Sequence, residues 1–191
     1  MLGIIAGCIS FFAFVPYIVS IVKGKTIPNR ATWLIWSWVG ILLLFSYKAS
    51  GATDTLWVAI SYTIAPIIIS FLSFKYGVGG WNKFDLFCIS GSVISTLLWF
   101  ITGSPTLALI LFLIIDFFGS LPTIKKSYFY PEQENKLAWL LMVIANFLNI
   151  FAAEEIRFSI IVYPLYMFIV GGLILGLCLR NSSFLKLKIK K

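Results

Sequence analysis

The chain contains the stretch SFFAFVPYIVSIVKGKTIPNRATWL at residues 10–34 and the stretch DFFGSLPTIKKSYFYPEQENKLAWL at residues 116–140. The two align without a gap and share a proline, an asparagine, a basic residue and a tryptophan: Pro16 with Pro122, Asn29 with Asn135, Arg30 with Lys136, and Trp33 with Trp139. Chance similarity between apolar segments exchanges one aliphatic residue for another, but it rarely preserves these residue types together. We infer an internal duplication.

The composition around this repeat is that of a membrane protein. Of the 191 residues, 60% are hydrophobic and only 12% are charged, whereas soluble domains average about half apolar and a quarter charged residues. A soluble fold would therefore expose more apolar surface than water tolerates. The charged residues also separate long uncharged runs, each able to cross about 30 Å of hydrocarbon. These features exclude a soluble domain and predict a polytopic membrane protein.

Seven apolar runs are candidates for membrane-spanning helices: residues 2–22, 32–49, 54–74, 84–102, 105–124, 137–153 and 158–179. Membrane strands would instead alternate polar and apolar residues over about ten positions, and these runs are continuous. Helices satisfy their own backbone hydrogen bonds in lipid. The predicted fold is therefore an all-α membrane protein with seven transmembrane helices.

Basic residues predict the orientation of these helices. With the amino terminus outside, every lysine and arginine except Lys48 and Arg157 falls on the inner side, as the positive-inside rule requires. The carboxyl terminus is then cytoplasmic, and its basic segment 186–191 is expected to contact anionic lipids. The net charge of +8 is therefore interpreted as a signal for the orientation of the helices. We expect the protein to lie in the cell inner (plasma) membrane. No nucleic-acid partner is expected, because the basic residues share no common face.

The duplication predicts how the helices are arranged. A three-helix unit ends on the side of the membrane opposite to its start, so two units of the same orientation need one extra crossing between them. We predict a 3+1+3 arrangement of two parallel three-helix repeats: residues 1–75 form the first repeat, 76–103 the linker helix, 104–180 the second repeat and 181–191 a basic cytoplasmic tail. Transporters with parallel repeats bind substrate near the bilayer midplane, between the halves.

Several motifs of the first unit resemble those of a known family: Gly3-Ile-Ile-Ala, Phe14-Val-Pro16-Tyr17, Lys25-Thr26 and a tryptophan-rich second helix ending near Tyr47. Together with the 3+1+3 plan, they resemble the SWEET and SemiSWEET repeats of the PQ-loop superfamily. The resemblance implies a transporter, favours a sugar as cargo, and implies that Pro16 and Pro122 act as hinges. Nicotinamide riboside transporters are similar in plan, so vitamin, nucleoside or amino-acid cargo stays open.

Two helix prolines and two glutamates of an inner connection are candidates for a role in conformational change. A proline inside a helix removes one backbone hydrogen bond and bends the helix. Pro16 and Pro122 stand at equivalent depth in the two repeats, which makes them candidate hinges, although membrane helices also tolerate proline for packing alone. Glu132 and Glu134 are candidates for ion pairs with nearby lysines at a gate, but surface pairs of this kind contribute little.

Asp116 is the side chain that points most directly to a binding site. An ionised carboxylate near the centre of a span costs on the order of 3 kcal/mol, so it should not face lipid. Its repeat partner is Ser10, which makes the two halves differ where a substrate or ion would bind. We predict a substrate-binding role for both residues. For Asp116 the functional readings are a protonatable coupling site or a hydrogen-bonding ligand; the alternative is structural contact with a neighbouring helix.

Other residues on the spans are predicted to complete this site. Asn146 and Asn149 share one face of the sixth span and offer both donors and acceptors, or they simply pack helices together. Trp36 lies deeper in its span than the aromatic residues that anchor helices at the membrane surface. We expect it either to stack on a ring of the substrate or to fill the core. The remaining candidates are tyrosines: Tyr62 on the third span, and Tyr163 with Tyr166 on the seventh.

The sequence argues against an enzyme, a cofactor and a metal site. It contains no histidine, and its three cysteines, Cys8, Cys88 and Cys178, lie in separate runs, so neither a metal motif nor a disulfide framework is expected. We predict a transporter of a small polar metabolite, and Asp116 leaves proton coupling open. The alternative is a ligand-binding receptor or sorting protein on the same scaffold. Two repeats in one chain suffice for a complete unit and leave a homo-oligomer open.

Overall fold

The computed structural model describes residues 1–49, 51–102, 105–153 and 155–180. Within these ranges the chain is all-helical, with seven α-helices and one short 3₁₀ helix: α1 (Leu2–Val22), α2 (Arg30–Ala49), α3 (Leu56–Tyr76), α4 (Lys83–Thr102), α5 (Pro105–Phe129), the 3₁₀ helix Pro131–Gln133, α6 (Lys136–Phe151) and α7 (Phe158–Leu179). The predicted all-α fold class is confirmed. The predicted basic tail, residues 181–191, lies outside the described residues.

In the part of the chain that the structure describes, three helices, α1, α3 and α7, are long and apolar enough to cross a membrane. Two others, α2 and α6, contain shorter apolar segments, Arg30–Phe45 and Lys136–Phe151. Large apolar side chains are exposed on the outside of the bundle, among them Phe12, Phe45, Phe71, Ile101 and Leu173. Lipid tolerates such a surface, whereas water favours its removal by association with other apolar surfaces. The outer surface therefore agrees with a membrane environment.

Most predicted helix boundaries lie within about two residues of the observed ones, which is the ordinary uncertainty of a helix end. The exception is α5, which was predicted to end at residue 124 and continues to Phe129, so this boundary was wrong. Lys125 and Lys126 do not end the helix, because cations in the last turn interact favourably with the helix dipole. The helix ends before Pro131, which disfavours helical backbone at the preceding Tyr130.

The helices pack in two similar groups, α1–α3 and α5–α7. In the first helix group α3 contacts both α1 and α2, and in the second helix group α7 contacts both α5 and α6. The groups meet mainly through two helix pairs, α1 with α6 and α2 with α5, while α4 packs on α5 and touches α2. The repeat relates α1 to α5 and α2 to α6. The pair α1 with α6 is therefore equivalent to the pair α5 with α2.

The connections that follow α1 and α5 lie side by side. Ile27 lies in the connection between α1 and α2, and its N–H donates to the carbonyl of Gln133, in the connection between α5 and α6, at 3.1 Å. Because α1 and α5 lead into these neighbouring connections, both helices end at the same end of the bundle. We call it the connection end, formed by residues 23–29 and 130–135, and the other the opposite end.

The aligned asparagines begin equivalent helices at the connection end. The side-chain oxygen of Asn29 accepts from the N–H of Thr32 at 3.3 Å, and that of Asn135 accepts from the N–H of Ala138 at 2.9 Å. Each bond satisfies a backbone donor that the first turn leaves free, a contribution of about 1 kcal/mol. The Asn135 amide also donates to the carbonyl of Pro16 at 3.1 Å, which links the two helix groups.

Candidate functional site

Asp116 lies on α5 in the middle of the bundle and faces the interior, with only 8% of its surface exposed. The hydroxyl of Tyr166 on α7 donates to its Oδ2 atom at 2.8 Å. From the first helix group, the Trp36 Nε1 atom on α2 donates to the main-chain oxygen of Asp116 at 3.3 Å. The carboxylate therefore lies where the two helix groups meet, at a depth where an unpaired charge is costly.

Two small cavities adjoin Asp116. The larger has a volume of about 20 Å³ and is lined by Phe14, Trp33, Trp36, Tyr62, Asp116, Trp139, Met142, Met167, Val170 and Gly171. The smaller has a volume of about 10 Å³ and is lined by Trp36, Val39, Gly40, Leu43, Tyr62, Pro66, Asp116, Tyr163 and Met167. Each has room for about one water molecule. The lining residues come from every α-helix except α4, so the cavities occupy the junction of the two helix groups.

Aromatic rings form much of the wall of the larger cavity, which we call the central cavity. The ring centroids of Phe14 and Tyr62 are 5.4 Å apart, and those of Trp33 and Trp36 are 5.1 Å apart. Trp139, the repeat partner of Trp33, approaches Trp36 to 6.2 Å. Edge-to-face rings at these separations attract one another, so the wall is preorganised by its own packing.

Several polar atoms around the cavities are buried without a hydrogen-bond partner in the described part of the chain. They include the Trp33 Nε1 atom, the Tyr163 hydroxyl and the Asn146 Oδ1 atom. The Asn146 amide nitrogen donates to the hydroxyl of Tyr62 at 3.0 Å, which ties Asn146 to the cavity wall. Buried polar atoms are normally paired, so these atoms are available to a bound molecule.

The structure brings together most of the residues predicted for the site and separates two of them from it. Asp116, Trp36, Tyr62 and Tyr163 line the cavities, and Asn146 contacts them through Tyr62. Two predicted residues are buried but line neither cavity. Ser10 shares a hydrogen bond with the hydroxyl of Ser61, between α1 and α3. Among the described residues, neither side-chain polar atom of Asn149 has a hydrogen-bond partner.

The connection end is closed by a buried ion pair. The ammonium of Lys126 on α5 pairs with the carboxylate of Glu134, and the two side chains are only 6% and 0% exposed. Lys126 also donates to the carbonyl of Ile27 in the first helix group. The other carboxylate oxygen of Glu134 accepts from the Trp139 Nε1 atom at 2.9 Å. The bond from Lys126 to Ile27 crosses between the helix groups, and the pair with Glu134 holds the Lys126 side chain in place.

The opposite end is closed by aromatic contacts. The hydroxyl of Tyr47 on α2 donates to the carbonyl of Ile160 on α7 at 2.8 Å. The rings of Tyr47 and Tyr163 lie 5.2 Å apart, and both residues are almost fully buried. These contacts also join the first helix group to the second. The cavities beside Asp116 are thus closed at both ends of the bundle.

Sequence reasoning missed several parts of this site. Met142 and Met167 look like ordinary core residues, and nothing in their spacing assigns them to a cavity. Trp139 carried a usable signal, because it is the repeat partner of Trp33.

Comparison with known proteins gave no match: no family model, no curated protein and no solved structure matches this chain.

Proposed function

We propose that this protein is a membrane transporter that moves a small polar metabolite by alternating access. In this proposal all seven α-helices cross the membrane, α1–α3 and α5–α7 form two parallel three-helix repeats, and α4 links them in a 3+1+3 arrangement. The packing pattern and the shared direction of α1 and α5 support it. The position of α4, which lines neither cavity, also suits a linker.

Asp116 is the observation that carries the proposal. A carboxylate buried beside cavities at the centre of a lipid-exposed bundle is expensive to maintain, and such residues usually mark a substrate or ion pathway. A purely structural aspartate would be enclosed by its partners, whereas Asp116 lines both cavities and keeps one described side-chain hydrogen bond, to Tyr166. We therefore assign it to the binding of the cargo or of a coupling proton.

The contacts that close the two ends of the bundle are the ones that alternating access would break and re-form. At the connection end Lys126 reaches Ile27 and Asn135 reaches Pro16, while at the opposite end Tyr47 reaches Ile160. Each of these contacts joins one helix group to the other. Rocking of the groups about the cavity would break one set while keeping the other, so the cavity would open to one side at a time.

The proposal also includes an orientation and a location. All eight lysines of the described chain except Lys48 lie in the connection end or in the helix ends next to it. The positive-inside rule predicts that such an end faces the cytoplasm. We therefore propose that the amino terminus is outside, that the connection end faces the cytoplasm and that the protein lies in the plasma membrane. A receptor on the same scaffold would bind its ligand from one side only, which gives a direct way to separate the two functions.

Access of reagents to position 167 tests the proposal without knowledge of the cargo. Met167 lines both cavities, and the variant combines Met167→Cys with Cys8→Ser, Cys88→Ala and Cys178→Ala. In reconstituted vesicles we expect membrane-impermeant methanethiosulfonates to modify this thiol from either face, because each face opens in turn.

The matched control for this experiment is Leu173→Cys in the same background. Leu173 is on the same helix, but its side chain is exposed on the outside of the bundle, so lipid should shield it from both faces. Modification of position 167 from a single face would favour the receptor, and protection from both faces would contradict transport.

The two helix prolines are expected to affect the rate of conformational exchange more than binding. Pro16→Ala and Pro122→Ala each restore a backbone hydrogen bond within a helix and stiffen it. We expect each change to slow modification of the thiol at position 167 by roughly tenfold from one face or both, because the open states are reached less often. Unchanged modification rates in both variants would show that these prolines only pack.

A further inference from the structure

Asp116 has no counter-charge among the described residues that surround it. Neither cavity is lined by a lysine or an arginine, and the other charged residues of the described chain lie in the connections or within five residues of a helix end. Its side-chain neighbour, Tyr166, offers a neutral hydroxyl. A carboxylate in these surroundings is therefore neutralised by a proton or by a positively charged ligand.

The walls of the central cavity suit a positive charge. Five aromatic side chains line it together with Asp116: Phe14, Trp33, Trp36, Tyr62 and Trp139. The faces of aromatic rings are negative and attract cations, by about 0.5–1 kcal/mol at exposed sites and about 2 kcal/mol or more when water is excluded. An aromatic enclosure with one carboxylate is the arrangement that binds alkylated or delocalised organic cations.

The same walls are poorly suited to a neutral polyol. A sugar needs several paired donors and acceptors, and the hydrogen-bonding groups that line the central cavity are few and partly occupied. Tyr62 accepts from Asn146, and the Trp36 Nε1 atom donates to a main-chain oxygen. A metal ion is also disfavoured, because no group of three metal-binding side chains occurs among the described residues.

The central cavity has a volume of about 20 Å³ in this closed structure. We propose that it widens when the helix groups rock, and that it then binds a small organic cation with a quaternary or delocalised positive charge, which faces Asp116 and packs against Trp33 and Trp36. This inference rests on the transport function proposed above and specifies its cargo. The cation supplies the missing counter-charge, and the aromatic rings replace its weak hydration. The cargo class is therefore set by the charge and the ring faces of the cavity, with hydrogen bonds in a secondary role.

Charge selectivity at position 167 tests this cargo class. The Met167→Cys vesicles are treated with a trimethylammonium methanethiosulfonate and with a sulfonate methanethiosulfonate, and each rate is divided by that of the fully exposed thiol in Ile156→Cys. We expect the normalised rate of the cationic reagent to exceed that of the sulfonate by roughly tenfold or more. A single negative charge several ångströms away produces a difference of this size at an effective dielectric constant of about 20. Asp116→Asn should remove this preference.

Choline and its neutral carbon analogue 3,3-dimethylbutan-1-ol provide a second, independent measurement. We expect choline to raise the melting temperature of the purified protein, because a ligand stabilises the folded state by mass action, and the neutral analogue to have no effect. Trp36→Leu should weaken choline binding by roughly tenfold. Trp38→Leu is the matched control, because Trp38 is on the same helix but is 47% exposed and lines neither cavity.

The outcomes separate this inference from the proposed function. Modification from both faces without charge preference would leave transport standing and overturn the cationic cargo. Absence of modification from one face would contradict transport, and the choline measurement would then decide the cation site alone. Equal effects of choline and the neutral analogue, or no effect of either, would overturn the cation site.

Discussion

Replacing Asp116 with asparagine is expected to reduce transport by about 100-fold, which corresponds to the ~3 kcal/mol that removal of one partner from a buried charged contact costs. The side chain keeps its shape, but it loses the negative charge that attracts a cation or carries a proton. A thermal-shift screen of sugars, nucleosides, vitamins, amino acids and organic cations identifies the tracer. Initial uptake of that tracer by proteoliposomes then measures the effect.

The fold should survive this substitution. The asparagine oxygen can still accept from Tyr166, and a buried charge is removed, so we expect the free energy of unfolding to stay the same or rise by about 1 kcal/mol. Glu132→Gln is the matched control, because it makes the same chemical change at an exposed position and should leave uptake unchanged. Wild-type uptake by the Asp116→Asn variant would show that the carboxylate is structural.

Replacing Glu134 with glutamine is expected to lower the free energy of unfolding by about 3–5 kcal/mol, the cost of leaving one member of a buried ion pair without its partner. The pair lies inside the connection end, with side chains 6% and 0% exposed, so water cannot replace the lost contact of Lys126. Denaturation in detergent micelles or nanodiscs, followed by tryptophan fluorescence, measures the change.

Two further variants make this prediction specific. The double variant Lys126→Met/Glu134→Gln removes both charges and should recover to within about 1–2 kcal/mol of the wild type. Arg157→Met breaks the exposed pair with Glu155, whose side chains are 56% and 59% exposed, and should cost less than about 1 kcal/mol. Equal effects of Glu134→Gln and Arg157→Met would contradict a buried pair.

The helices were predictable because each is a continuous apolar run bounded by polar residues. The end of α5 was not predictable in this way, because Lys125 and Lys126 resemble a boundary but are compatible with a helix until Pro131 stops it. The all-helical fold follows from local sequence. How the groups meet, α1 with α6 and α2 with α5, depends on contacts between distant segments, and only the repeat gave a signal for it.

The position of a site residue was most directly predictable where its side chain is costly to bury in a membrane. The burial of Asp116 followed from the energy of a carboxylate in hydrocarbon. Ser10 carries no such constraint, because a small hydroxyl can hydrogen-bond to an adjacent helix, as it does with Ser61. The aromatic wall joins Trp33 and Trp139 from opposite halves, so it appears only when the halves are assembled.

Spin-label distances across both ends of the bundle test alternating access most directly. One labelled pair spans the connection end at Lys25 and Glu132, and the other spans the opposite end at Lys48 and Ile156, all four being exposed. In nanodiscs, Lys126→Met/Glu134→Gln removes the contact with Ile27. We predict that it lengthens the first distance and shortens the second; unchanged distances, or lengthening at both ends together, would contradict alternating access.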